Sequence, residues 1–118
     1  MLFRSVPKKL IDVTNSESIF IRHNGASHRI YYKDIIYATK IGNNVKIITN
    51  DEQTFYHNAT MKIFYTLLPQ NQFTRINNSV IINNDKISKY QQGEVYIGEK
   101  SFKLTKTFSN YFKQTFDI

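Results

Sequence analysis

Two stretches of the chain collect side chains suited to holding a polyanion. Phe73–Asn83 reads FTRINNSVIIN, and Ser101–Thr107 reads SFKLTKT. In the first, Arg75 and the trio Asn77, Asn78 and Ser79 stand beside the apolar run Val80–Ile82. In the second, Lys103, Thr105, Lys106 and Thr107 flank Leu104. Arg, Lys, Asn, Ser and Thr are the side chains that hydrogen-bond base edges and phosphates. Each stretch also has a structural reading. Arg75 sits in an apolar context that suits pairing with a carboxylate. Asn83 suits a turn former or a backbone hydrogen-bonder. The Asn-Asn pairs at 43–44, 77–78 and 83–84 are also the residues turns use.

Other chemistry is thinly represented. The histidines are His23, His28 and His57, and the first two flank a predicted hairpin where they can face each other. A His pair can serve acid-base chemistry or bind a metal, but no carboxylate lies at a telling spacing and no third ligand follows. The chain has no cysteine, which removes disulfides and thiolate zinc sites. It has no Gly-rich phosphate loop, zincin motif or serine elbow. The expectation is no catalytic residue, no metal and no cofactor.

The formal charge of +7 on 118 residues favours a polyanionic partner, most simply nucleic acid. A basic protein kept soluble by its charge is the plainer alternative. No run approaches the roughly 18 apolar residues of a membrane span, and no basic amphipathic helix points to a membrane surface. The opening MLFRSVPKKL is too short and too soon interrupted by Pro7, Lys8 and Lys9 to be a signal peptide. A cytoplasmic location is expected.

The elements that must position these residues follow from periodicity. Residues 1–15 have no clean period and read as an N-terminal arm, with a short edge segment at Leu10–Val13; residues 16–118 read as one domain. From Ser18 the pattern has period two, with Ile19 and Ile21 alternating with Phe20 and Arg22. Turns at Asn24-Gly25, Lys33-Asp34, Gly42-Asn43-Asn44 and Asn50-Asp51 divide it into five short strands, an antiparallel meander. Ala59–Leu68 changes period: Met61, Phe64, Tyr65 and Leu68 share a helix face, Asn58 or Thr60 can cap it, and Pro69 stops it. So short a helix cannot stand alone and must lie on the sheet. Strands follow at Lys86–Tyr90, Glu94–Ile97 and Ser101–Leu104, then a helix at about Thr107–Phe116. The fold class is mainly β: stacked antiparallel sheets of about ten short strands, one short embedded helix and a C-terminal helix.

That order of elements, with four landmarks, resembles the LytTR-type DNA-binding domain, the output domain of LytR/AgrA-class bacterial transcription regulators. The landmarks are Tyr32–Tyr37, the long motif Phe73-x-Arg75-Ile76-x-x-Ser79-Val80-Ile81-Ile82-Asn83, Ile87, and Leu104-Thr105-Lys106. The resemblance covers roughly Glu17–Phe116. It implies sequence-specific binding of double-stranded DNA, with loops at one edge entering successive major grooves. It places the contacts in the loop Lys40–Lys46 (Lys40, Asn43, Asn44 and Lys46), at Asn77 and Asn78 with Ser79, and at Lys106 before the last helix. Asn78 is the first candidate for a bidentate adenine contact, and Asn43 or Asn44 the second. Lys106 and Arg75 can reach a guanine or a phosphate; Ser79 and Thr107 suit phosphate, and Lys103 adds charge beside them. Family members commonly carry His, Lys or Arg within the pair occupied here by Asn77-Asn78. The Pro-hydrophobe-Ser of the typical last strand is Lys103-Leu104-Thr105.

The implied partner is promoter DNA with repeated half-sites, bound alone, beside a second copy, or in competition with a related regulator. The chain carries no receiver domain, so a stand-alone protein or an excised output domain is expected. The rival reading is an RNA- or single-strand-binding β domain stacking bases on Tyr31, Tyr32, Tyr37, Tyr56, Tyr90 and Tyr96.

Overall fold

The computed structural model describes residues 17–51 and 53–118. The arm at 1–15 and its edge segment at Leu10–Val13 lie outside the described residues.

Among the described residues ten strands form three antiparallel sheets. Strands β1 (Ser18–His23) and β2 (Ala26–Tyr31) make a two-stranded hairpin. A single 3-10 turn at Tyr32–Asp34 leads into β3 (Ile35–Ile41), followed by β4 (Asn44–Thr49) and β5 (Thr54–His57). After the helix α1 (Met61–Thr66) come β6 (Phe73–Asn77) and β7 (Val80–Asn83). These last five strands form one sheet in the order β5-β4-β3-β7-β6. The third sheet holds β8 (Lys89–Gln91), β9 (Glu94–Ile97) and β10 (Lys100–Lys103), and α2 (Lys106–Phe116) ends the chain.

The five-stranded sheet carries a core on each face, and its β7 strand, VIIN, is buried on both sides. Along β7 the side chains alternate: Ile81 enters one core, Val80 and Ile82 the other. The first core joins Ile21 and Ile30 of the β1–β2 hairpin to Val45, Ile47, Phe55 and the α1 residues Met61 and Phe64. The second packs Ile76 against Val95, Leu104 and Phe112 of α2. In the β1–β2 hairpin, Asn24 and Gly25 take φ of +52° and +80°. Both central turn positions therefore lie in the left-handed region that an Asn-Gly hairpin favours.

The structure departs from sequence expectation in several places. The stretch Phe73–Asn83 is two strands joined by a hairpin turn at Asn78-Ser79, one residue on from the 77–78 pair that suits a turn. Helix α1 is shorter than Ala59–Leu68. Thr60 caps it, its hydroxyl accepting the Ile63 N–H at 3.2 Å, and Leu67 and Leu68 tighten into i to i−3 bonds before Pro69. The strand expected at Lys86–Tyr90 begins only at Lys89, after a 3-10 turn at Asn84–Lys86. That turn is held by the buried Asn83, whose side chain accepts the Asp85 N–H at 3.0 Å and donates to the Ile35 carbonyl at 2.8 Å. Asn83 is thus a backbone hydrogen-bonder.

Candidate nucleic-acid interface

Sheet order brings distant residues together. Strand β3 runs antiparallel to β7 with Thr39 opposite Val80. Just beyond that pair the Lys40 N–H donates to the Ser79 carbonyl at 2.9 Å. The β3–β4 and β6–β7 hairpins therefore turn side by side at one end of the sheet. Gly42 occupies the first position of the β3–β4 turn with φ +58°, a conformation other residues adopt only under strain. Asn43 and Asn44 follow it, both exposed.

The third segment is tied in by Asn77. Its amide nitrogen donates to the Lys103 carbonyl at 2.7 Å, and its oxygen accepts the Ser79 N–H at 2.7 Å. The Thr105 N–H donates to the Ile76 carbonyl at 3.0 Å, which pins the start of α2 to β6. A break in register between Arg75 and Asn77 leaves the extra residue that lets the β6–β7 turn lean this way. Lys40, Gly42–Asn44, Asn78, Ser79, Lys103, Lys106 and Thr107 are all exposed along this one end. No side chain caps the N-terminus of α2, and its first turn holds no acidic residue. Apart from the Phe108 N–H, which donates to the Thr105 carbonyl at 3.1 Å, its leading amides are open to an anion.

Besides Asn77, whose amide is spent on Lys103 and Ser79, two expected site residues sit differently. Lys46 pairs with Thr39 and Tyr56 and alternates with the buried Val45 and Ile47, so it lies half-buried on the opposite sheet face, back from the tip. Arg75 is half-buried and makes its contacts with a carbonyl and a ring. Its Nη2 donates to the Asn78 carbonyl at 3.2 Å, and its guanidinium lies 5.3 Å from the centre of the Phe108 ring. The carboxylate-paired alternative is replaced by this arrangement, and the buried Nε–H has no acceptor among the described residues. Behind Arg75, Tyr65 donates to the Phe73 carbonyl at 3.2 Å. Burial first, then the neighbouring Tyr111, raises the Tyr65 phenol above its ordinary value, keeping it a neutral donor.

A cleft of about 510 Å³ opens beside the rim, between the Gly42 hairpin and the start of α1. It is lined by Lys40, Asn43, Asn44, Arg75 and Asn78 and, unforeseen in the sequence, by Thr60 and Lys62. Only the helical period placed Lys62 off the apolar face of α1; nothing in the sequence set it opposite Lys40.

The rival features are accounted for locally. His23 and His28 do face each other, with ring centres 5.8 Å apart. His23 Nδ1 accepts the Tyr56 N–H at 3.3 Å, and His28 Nε2 lies 3.2 Å from the His23 carbonyl, so both rings serve hairpin packing. No cluster of three potential metal ligands occurs among the described residues. Of the six tyrosines that would form a stacking platform, only Tyr56 is exposed. No helix among the described residues is long and apolar enough to cross a membrane.

A family model for the LytTr DNA-binding domain matches residues 25–117. Among solved structures, a chain described as the LytTr DNA-binding domain of a methyl-accepting/DNA response regulator from Bacillus cereus superposes with a TM-score of 0.72. The match covers 86% of this chain and 97% of that one at 15% identity, a likeness of fold. A comparison with curated proteins gives no match.

Proposed function

Because the chain belongs to the LytTR family of DNA-binding domains, whose work is binding DNA in transcription regulation rather than catalysis, we propose that it reads a specific duplex sequence through the rim. In this reading the Gly42 and Asn78 hairpins enter the major groove, and the junction of β10 with α2 meets the next stretch of the strand. Asn78 and Asn43 or Asn44 supply amides for adenine. Lys40, Lys103 and Lys106 supply charge for phosphate or guanine, and Ser79 and Thr107 supply hydroxyls for phosphate. Asn77 and Arg75 act one step back, setting the turn that presents Asn78. Lys46 acts from the flank.

The observation that carries the reading is the pair of bonds joining three segments far apart in sequence, Lys40 N–H to Ser79 and Asn77 to Lys103. The protein would act in the bacterial cytoplasm, as a response-regulator output domain or a stand-alone regulator, with a second copy or a related regulator as its partner on DNA. Selection of bound duplexes from a random pool tests it. The expected result is an enriched motif in half-sites about one helical turn, roughly 10 base pairs, apart. An unenriched pool, or displacement of bound duplex by single-stranded RNA at equal nucleotide concentration, would sink it.

A further inference from the structure

The geometry points to a second anion site, in the cleft between the Gly42 hairpin and α1, that takes a backbone phosphodiester of the bound DNA; this rests on the reading above. Three cations, Lys40, Lys62 and Arg75, line the cleft together with amides of Asn43, Asn44 and Asn78, and its lining contains no carboxylate. Like charges gathered on a concave wall reinforce one another's field and draw in an anion. At about 510 Å³ the space lies within the ~300–1,000 Å³ range of small-ligand sites, ample for a phosphate and its flanking sugars.

The chemistry of the lining decides which part of a nucleic acid fits. No aromatic side chain lines the cleft, and Met61 and Ala59 supply its apolar wall, so a base finds no ring to stack on. A phosphate finds the point charge of a lysine ammonium and an arginine edge. The position decides the source. Lys40 and Asn78 belong to the cleft and to the rim alike, so a strand whose bases meet the hairpin tips runs past the mouth of the cleft. Lys62, outside the rim, is the residue that separates the two sites. Its contribution is sequence-independent: it adds affinity without discrimination.

Lys62→Ala is the test, since alanine favours the exposed face of a helix and no core contact is removed. Binding to the selected duplex and to a scrambled one is measured across salt concentration. Expected is a salt slope shallower by about 0.9, equivalent to about eightfold weaker binding near 0.1 M, on both duplexes alike. Lys62→Arg should restore the slope, and one phosphate whose ethylation blocks wild-type binding should become silent in Lys62→Ala. A wild type that binds duplex while Lys62→Ala keeps its slope and ethylation pattern overturns this inference alone. So does saturable binding of inorganic phosphate lost in Lys62→Ala with the DNA slope unchanged, which would mark a free-anion site. A wild type with no duplex affinity overturns the functional reading and this site with it.

Discussion

Asn77 and Asn78 are neighbours of one residue type, yet their side chains have opposite employment. Both ends of the Asn77 amide are spent inside the protein, on Lys103 and Ser79. Asn78 is exposed, and its backbone carbonyl, which receives Arg75, is what the fold uses. Asn77→Ala should therefore cost about 1–2 kcal/mol of stability, two partly exposed hydrogen bonds, and weaken binding to every duplex. Asn78→Ala should leave the melting temperature unchanged and cost about 1–3 kcal/mol of discrimination between cognate and random duplex. Thermal melts paired with binding curves check both; equal losses of Asn78→Ala on the two duplexes would remove it from base readout. The sequence put both amides in one class, because which of two adjacent asparagines turns inward is decided by the register break after Arg75, a property of the β6–β7 pair.

At the scale of elements, most of the fold was legible. Period-two alternation marks β1 to β5, and Phe108, Phe112 and Phe116 at helical spacing mark α2. What escaped was detail: the 77–78 pair reads as either a contact or a turn, and the turn falls at Asn78-Ser79, while Asn83, read as a turn former or backbone hydrogen-bonder, finds its partner in the Ile35 carbonyl 48 residues away. Local propensity carries no trace of such a long-range bond. One element also has a pH signature. Burial lowers the pKa of His57, at the end of β5 and packed against Phe64 with ring centres 5.7 Å apart. As pH falls through about 6.5 the unfolded chain takes up this proton before the folded one, so stability present at neutral pH is lost towards pH 5. His57→Gln should flatten the melting temperature between pH 7 and pH 5 relative to wild type. An unchanged slope would mean that His57 does not contribute. Asp51, whose carboxyl is lowered chiefly by the Thr49 hydroxyl, titrates below this window and does not confuse it.

For the molecule as a whole, the +7 charge said that a polyanion was a fitting partner and nothing about where it would sit. The proposed location depends on β3 lying next to β7, so that Lys40 and Ser79 meet across 39 positions of sequence, and periodicity does not report strand order. With Lys40, Lys103 and Lys106 on the rim, Lys46 on its flank and Lys62 in the cleft, neutralising four or five phosphates should give a log-log salt slope of about −4. Binding measured from low to moderate salt checks this, and a near-flat line would remove the rim from the interface.

If the two hairpins read bases as proposed, the Lys40 N–H to Ser79 bond has an outcome for the grammar of the operator. Since the two hairpins are stitched together by their backbones, neither can reseat itself over an altered base without dragging its neighbour. Paired base changes, one beneath each hairpin, should therefore be penalised less than their separate penalties summed, so that a scoring matrix treating operator positions as independent would misjudge this protein's weaker sites.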